Sequence, residues 1–497
     1  MSRYSLLAIL LVLIASARIV VNDRPLSHTV DEPDHLGTGM EWLWQGTYRW
    51  DPSHPPLARV MPALAASLGG ARMVPAPNAE GEGIRVWGRG AHYDRMLAIS
   101  RAGILPLLWL ACAVVFLWAR RIAGDPAAVD ALLVFTTIPP VLAHAGLVTT
   151  DMAATAFTAA GALVSMLWAE RPTRSRTLLF GAVLGLGVLA KFSVPVYLPA
   201  VWLLWLARRR PPVVEIRSRV APALAALAIG CVIVWAGYRF SANGLVPAPA
   251  FWEGLRSLLK HNADGHSSYI IGHRHQLGVW YFFPITLLVK TPLALLILMA
   301  LAAWRRPAGI AAPALYSAAI LLVAMSSNIN IGVRHVLPIY AGLSIVAGML
   351  AVQLWKTRAR AVVAALVAWQ IVSGVMAQPD LISYTNEITR GHPEDWVAES
   401  DLDWGQDMNR VADFLARMGA REVAFTPYCV SYLEGGHDFP KCTFTNWYHP
   451  SPGWNIVSLS GWKVFDHPGW VKSPPQYRIG RTHWAWYFPP VPPSNRP

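Results

Sequence analysis

The stretch Val30–Arg59 reads VDEPDHLGTGMEWLWQGTYRWDPSHPPLAR, and the rest of the chain is organised around it. It sets the carboxylates Asp31 and Glu32 before a run of tryptophans and ends in a His-Pro-Pro-Leu sequence that begins at His54. It follows Leu6–Val21, an apolar run long enough to cross a membrane. Because acidic side chains beside a bilayer are costly and usually have a function, this loop is the first candidate for a functional site.

The composition is that of a polytopic membrane protein. Of 497 residues, 54% are hydrophobic and 14% charged, against about 25% charged in soluble domains. The net charge of +13 is compatible with nucleic-acid binding. The basic residues, however, lie in short loops between apolar runs, which is the positive-inside pattern of membrane proteins. We therefore expect no nucleic-acid partner.

About eleven membrane spans are predicted. The first, Leu6–Val21, is expected to be retained rather than cleaved as a signal, because many spans follow it. The short run Leu57–Leu68 is broken by Arg59 and Pro62 and is expected to lie at the membrane interface. The other predicted spans are Leu97–Trp118, Ala127–Ala145, Met152–Trp168, Leu178–Ala190, Val194–Leu206, Val220–Tyr238, Leu277–Ala303, Ile310–Met325, Val336–Leu354 and Ala361–Ala377.

The basic clusters predict the orientation of the chain, because they fall in alternate loops and such loops are cytoplasmic. The N-terminus is then cytoplasmic, and the acidic loop faces the outside of the cytoplasmic (inner) membrane. We expect a membrane catalytic domain at 1–377, with outer loops at about 22–95 and 239–276, and an extracytoplasmic α/β domain at 378–497. The basic clusters are Arg120-Arg121, Arg171/Arg174/Arg176, Arg208–Arg210 with Arg217/Arg219, Arg305-Arg306 and Lys356/Arg358/Arg360.

Within the C-terminal part, Asp407–Met418 is predicted to be an amphipathic helix and Glu422–Tyr428 a strand. Cys429 and Cys442 are expected to form a disulfide if this part is exported; two buried thiols are the alternative. Ser400–Asp407, SDLDWGQD, could form a sugar-binding surface around its tryptophan. It could equally be the acid-rich start of a helix.

The acids of the outer side are candidates for catalysis. Asp31 and Glu32 could hold a metal ion, or one of them could act as a general base on a hydroxyl. Asp151 opens a predicted span and is either a second functional acid or a helix cap. Asp31 and Asp151 are the candidates for a divalent-metal site, although no closed set of ligands is visible. No cofactor is otherwise indicated.

The cations of the outer side are candidates for phosphate binding. Lys191 ends a predicted span and either extends to the interface or binds a lipid phosphate. Arg334, followed by His335, is preferred over Arg274 as a phosphate ligand because it lies at a span end. His54 either binds phosphate or sugar, or stabilises the turn made by the prolines after it.

Together these motifs resemble the GT-C superfamily of membrane glycosyltransferases. The resemblance rests on the Asp-Glu pair at Asp31, the His-Pro-Pro-Leu at His54, the Thr-Asp at Asp151 and the Gly-Leu-x-x-Leu-x-Lys-like span end at Lys191. The pattern is similar to protein O-mannosyltransferases, to the aminoarabinose transferase of lipid A and to phospholipid-carrier-dependent glycosyltransferases. The segment Leu381–Asp407 looks like the last of these groups.

The resemblance implies an inverting transfer from a polyprenyl-phosphate sugar to a hydroxyl of a lipid, glycan or protein acceptor at the membrane. It makes Asp31 the base, Asp151 the second acid, and Lys191 and Arg334 the phosphate ligands. The lectin-like insert of the mannosyltransferases is missing, and His54-Pro55 stands where the aminoarabinose transferase has Lys-Pro. The alternative functions are a glycolipid transporter or flippase, which would need broken segments at the bilayer midplane, and an anchored recognition protein.

Overall fold

The structure is a computed structural model that describes residues 2–210, 212–446, 448–464 and 469–490. It is mostly helical. The α-helices are α1 Arg3–Asn22, α2 Glu32–Met40, α3 Leu57–Leu68, α4 Ala79–Trp87, α5 Gly90–Ala102, α6 Leu105–Phe135, α7 Pro139–Ala145, α8 Asp151–Glu170, α9 Arg174–Ala190, α10 Val194–Arg209, α11 Val213–Gly237, α12 Pro249–Asp264, α13 Phe282–Lys290, α14 Leu293–Arg305, α15 Ala311–Ala324, α16 Ile339–Trp355, α17 Arg360–Met376, α18 Met408–Arg417 and α19 Leu459–Val464.

Several of these helices can cross a membrane, as a polytopic helical protein requires. Within the described residues, four stretches are long and apolar enough: α1, Gly90–Phe135 over α5 and α6, α8, and Val214–Gly237 of α11. Four more apolar helices are shorter, namely α3, α15, α16 and α17. The predicted fold class is confirmed, whereas the number of about eleven spans stays a prediction.

Two breaks divide the apolar stretches. Gly124, with φ 83°, kinks α6 just before Pro126, near the predicted basic loop at Arg120. The predicted span Leu277–Ala303 is not one straight helix, because α13 and α14 meet at an angle of 114°. Pro292 lies at this bend; a proline has no backbone N–H to donate and disfavours helical backbone in the residue before it.

The C-terminal part contains a five-stranded sheet in the order β6-β5-β7-β9-β8. The pairs β5–β6 and β5–β7 are parallel, and β7–β9 and β8–β9 are antiparallel. The predicted helix and strand correspond to α18 and β5. The strands in chain order are β1 Ala242–Asn243, β2 Val246–Pro247, β3 Ser268–Ile270, β4 His273–His275, β5 Glu422–Phe425, β6 Lys441–Thr443, β7 Gly453–Ser458, β8 Tyr477–Ile479 and β9 His483–Phe488.

The expected disulfide between Cys429 and Cys442 is absent, and both side chains are free thiols. Cys429 is buried beneath the first outer loop, where its sulfur lies 3.5 Å from the Ser431 hydroxyl. Cys442 lies on β6, the edge strand of the sheet. The alternative of two buried thiols is met for Cys429, whereas Cys442 is only partly buried.

The first outer loop and the C-terminal sheet share one hydrophobic core. Leu36 and Trp87 of the loop pack in a cluster with Phe425, Tyr432 and Ile456 of the C-terminal part. A second, larger cluster fills the membrane part. Because the loop is held between these two cores, its acidic residues have fixed positions at the end of the membrane helices.

Candidate active site

Glu32 fixes the start of α2. Arg101 donates to both of its carboxylate oxygens, from Nε at 2.9 Å and from Nη2 at 2.7 Å. The backbone N–H groups of Thr29 and Val148 donate to the same oxygens at 2.7 and 2.9 Å. Glu32 is completely buried and its oxygens are occupied. The structure therefore places this predicted catalytic acid in the support of the site and not in its cavity.

Asp31, one residue earlier, points into the cavity instead. Its side chain is 33% exposed, and it accepts a hydrogen bond of 2.8 Å from Nη1 of Arg334. The two residues are 303 positions apart in the sequence. Their pairing joins the first outer loop to the segment between α15 and α16.

Arg334 is held by the segment that follows the membrane helices. Its guanidinium lies 4.2 Å from the ring centre of Trp404, in the SDLDWGQD stretch. The Asp401 carboxylate of the same stretch accepts from the backbone N–H of Val333 at 3.0 Å. Gly332, with φ 131°, leaves room for this approach, since a Cβ there would lie 2.4 Å from the Ser400 hydroxyl.

Asp151 and Lys191 form a second ion pair between the start of α8 and the end of α9. Nζ of Lys191 donates to Oδ1 of Asp151 at 2.5 Å, and both side chains are largely buried. Nδ1 of His144 lies 3.8 Å from the other oxygen of Asp151. Asp151 is the first residue of α8, and the residue at the N-cap position is Thr150. One oxygen of the Asp151 carboxylate accepts from Lys191, and the other has no hydrogen-bond partner among the described residues, so the structure does not show the alternative of a simple helix cap.

His54 is positioned by a buried network behind the cavity. Its backbone carbonyl accepts from the Tyr48 hydroxyl at 2.6 Å, and its ring lies edge-on to His35, 5.2 Å between centres. Arg59 pairs with Asp51 and donates to Nδ1 of His35 at 2.9 Å. Burial lowers the pKa of His54 to about 3, and the nearby cation Arg59 acts in the same direction. The imidazole is therefore neutral at pH 7.

A cavity of about 680 Å³ brings these groups together. Asp31, His54, Lys191, Arg334 and His335 all line it. Burial holds the pKa of His335 well below its usual range, with Lys191 acting in the same direction. These five residues contribute a carboxylate, two cations and two neutral imidazoles to the cavity, a combination that suits a phosphate next to a hydroxyl that must lose a proton. Residues that the sequence analysis did not single out also line it, among them Tyr197, His266, Glu399 and Tyr428.

Arg274 is not part of this cavity. It lies on β4, and its Nε donates to the carbonyl of Lys463 at 2.7 Å. The preference for Arg334 over Arg274 therefore agrees with where the two side chains lie. In the SDLDWGQD stretch, the side chain of Trp404 lines the cavity, whereas the carboxylates of the stretch are buried.

Asp31 and Asp151, the candidates for a metal site, each have a cation as partner. Among the described residues, no group of three or more His, Cys, Asp or Glu side chains is arranged to hold a metal ion. A divalent metal at these acids stays a prediction, and the chemistry below does not depend on it.

Comparisons with known proteins show which proteins this chain is similar to. Residues 100–238, which include Asp151 and Lys191, match the family model of dolichyl-phosphate-mannose-protein mannosyltransferases. A crystal structure of ArnT from Cupriavidus metallidurans bound to undecaprenyl phosphate superposes with a TM-score of 0.53 at 13% identity, over 96% of this chain and 97% of ArnT. Apo ArnT gives a TM-score of 0.51 at 14% identity, over 97% and 98%.

The chain has the GT-C fold. The likeness to ArnT spans the whole length of both chains, so the C-terminal part is included in the shared architecture. The oligosaccharyltransferase AglB of Archaeoglobus fulgidus is a weaker match, with a TM-score of 0.48 at 13% identity over 76% of this chain and 56% of AglB. No curated protein matches the sequence. The resemblance to GT-C glycosyltransferases is confirmed, and the comparisons do not favour a transporter.

Proposed function

We propose that this GT-C chain is an inverting glycosyltransferase of the cytoplasmic membrane. It takes a sugar from a polyprenyl-phosphate donor and transfers it to a hydroxyl of a lipid, glycan or protein acceptor on the outer face. The observation that carries this proposal is the convergence of Asp31, Lys191 and Arg334 on one cavity. A carboxylate beside two cations provides both a proton acceptor and a binding site for phosphate.

Lys191 and Arg334 are the groups that bind the donor phosphate. The arginine offers a planar pair of N–H donors and the lysine a point charge, so together they can contact several phosphate oxygens. The charge on the leaving phosphate grows as its bond to the sugar breaks, and cations in a cavity shielded from water stabilise it as it forms. ArnT, which has the same fold, binds undecaprenyl phosphate. Asp151 holds Lys191 in place through their 2.5 Å contact.

Asp31 is the general base. It takes the proton of the acceptor hydroxyl, whose oxygen attacks the anomeric carbon from the face opposite the phosphate, and the configuration inverts. In the structure, Arg334 already binds the Asp31 carboxylate. A donor phosphate competes for this guanidinium, so its binding frees Asp31 to accept a proton. Donor binding then precedes deprotonation of the acceptor.

Asn in place of Asp31 tests this assignment. D31N keeps the shape of the side chain but removes the base, and loss of a general base costs about 10²–10⁴-fold in rate. The matched control is Asp34→Asn, on the same helix but outside the cavity lining. Cell-envelope glycans of cells that carry each variant, or no protein, are compared by mass spectrometry. We expect one glycan to disappear without the protein and with D31N, and to remain with D34N.

Near-normal glycan in D31N cells, at wild-type levels of protein, would refute Asp31 as the base. The same comparison identifies the sugar and the acceptor, because the missing mass contains both. Equal envelopes with and without the protein would count against glycan transfer as a whole.

A further inference from the structure

A second cavity lies at the other end of the membrane helices. α8 starts at the active site with Asp151 and reaches this cavity with Trp168, roughly 25 Å away along the helix. The cavity has a volume of about 330 Å³ and is bounded by α8, α9, α10 and α11. Its walls are almost entirely carbon, with the aromatic rings of Phe180, Trp202 and Trp205 among them. It belongs to no part of the site described above.

The mouth of this cavity carries a net positive charge. Nη2 of Arg209 lies 3.0 Å and Nη1 of Arg219 lies 2.9 Å from the same oxygen, Oε1 of Glu215. Two guanidinium groups thus share one carboxylate, which leaves one positive charge. Nε of Arg219 is buried and has no hydrogen-bond partner among the described residues. Arg219 also donates to the backbone carbonyls of Glu215 and Ala169. The N–H groups of the mouth that can reach an anion are therefore those of Arg209, whose side chain is 40% exposed.

An apolar cavity between membrane helices is filled by hydrocarbon in preference to water, because water there finds no polar partners. An exposed arginine at the boundary, here Arg209, is suited to a phosphate, which its free N–H groups can bind. A phosphodiester has one negative charge, equal and opposite to that of the mouth. This end of the helices also carries the basic loops, and anionic lipids concentrate in the cytoplasmic leaflet, which such loops face.

We propose that the cavity binds one acyl chain of an anionic phospholipid, with the phosphodiester at Arg209 and Arg219. The ligand belongs to the leaflet on the basic side of the membrane and is separate from the donor site. The site is independent of the proposed transfer, since none of its residues lines the active-site cavity.

Native mass spectrometry of the full chain, released from nanodiscs of equal phosphatidylglycerol and phosphatidylethanolamine, tests the headgroup. Wild type is expected to retain one phosphatidylglycerol. Arg209→Gln should lower the preference for phosphatidylglycerol about fivefold, the effect of roughly one basic contact to an anionic lipid. Arg208→Gln is the matched control, because it removes an exposed arginine next to the site that does not line the cavity. No retained lipid, no headgroup preference, or equal effects of the two variants would overturn the proposal.

A phosphatidylglycerol with a photoreactive acyl chain tests the place of the tail. Crosslinks are expected on α10 and α11, at residues such as Trp205 and Val220, and they should be lost in Ala223→Phe, which fills the cavity. Thermal stability in detergent shows whether this variant is folded. If it is not, the test is made on wild type, where excess unlabelled phosphatidylglycerol should prevent the crosslinks to α10 and α11. Crosslinks elsewhere, or displacement by a polyprenyl phosphate but not by phosphatidylglycerol, would refute a phospholipid site.

Discussion

Arg334 has two partners at once, the Asp31 carboxylate at 2.8 Å and the face of Trp404 at 4.2 Å. A lysine in its place would keep the charge but lose the planar fork and the stacking. We therefore expect Arg334→Lys to lower kcat by roughly 10²-fold, the cost of losing one well-placed donor to developing charge. This change in kcat is measured as the rate at which each protein releases polyprenyl phosphate at saturating donor.

Arg239→Lys is a matched control for that variant. Arg239 also stacks on a tryptophan, Trp42, with 4.0 Å to the ring centre, but it lies outside the cavity. Its replacement should leave kcat unchanged. Equal losses in the two variants would mean that stacked arginines matter for folding rather than for binding phosphate.

Residue type and position were enough to select five of the residues that line the cavity, the fifth being His335. Asp31, His54, Lys191 and Arg334 are polar residues at the borders of apolar runs. Burying a polar side chain there costs free energy, so such residues usually have a function. Glu32 has the same signal, but its use depends on Arg101, 69 positions away. Local sequence does not encode which distant partner a side chain meets. The sequence alone therefore could not show that Asp31 lines the cavity whereas Glu32 is buried against Arg101.

The start of α2 depends on the buried pair of Glu32 and Arg101. Removing one partner of such a pair leaves a buried charge without compensation and costs about 3–5 kcal/mol. Glu32→Gln is therefore expected to lower the thermal unfolding midpoint in detergent markedly, while the protein that remains folded keeps most of its transfer rate. A variant with wild-type stability and no activity would instead make Glu32 a catalytic group.

The loop before α2 should make stability depend on pH through His28. Burial lowers the pKa of His28 to about 3, with Glu32 opposing and Arg101 adding to the shift. Below pH 6.5 the unfolded chain binds a proton that folded His28 does not accept until about pH 3. The contribution of His28 to the free energy of unfolding is complete above pH 6.5 and is lost as the pH falls from 6.5 to about 3.

Thermal midpoints of wild type and His28→Gln between pH 7 and pH 4 measure this effect. The variant is expected to be less stable at pH 7 and to lose less stability on acidification. Burial raises the pKa of Asp23 to about 7, which acts with the opposite sign, so the difference between the two proteins isolates His28. Parallel pH curves would show that His28 does not carry the dependence.

Periodicity and hydropathy predicted where helices lie in the sequence better than they predicted where helices bend. The short apolar run Leu57–Leu68 was predicted with the bounds that α3 has, and its position at the membrane interface stays a prediction. The bend of 114° between α13 and α14 was not predicted from a single apolar run. Hydropathy measures how apolar a segment is, and a broken span is as apolar as a straight one.

The acids and cations of the cavity lie at helix ends opposite the basic loops throughout the chain. Asp151 begins α8, and Lys191 follows the last residue of α9. The other ends of these two helices carry the basic residues, and there Glu170, the last residue of α8, pairs with Arg121 at 2.6 Å. The C-terminal sheet packs on the loop that carries Asp31. The candidate active-site cavity and the C-terminal part must therefore share one side of the membrane.

The positive-inside rule predicts that this side is the outer one. In a variant whose four cysteines are replaced by alanine, single cysteines report the side at exposed positions. A membrane-impermeant maleimide added to intact spheroplasts should label Ser241→Cys and Ser473→Cys, but Ser175→Cys and Thr357→Cys only after lysis. Labelling of all four before lysis would show leaky cells. The reverse pattern would place the cavity in the cytoplasm, where nucleotide sugars are present, and would remove the need for a donor already attached to lipid.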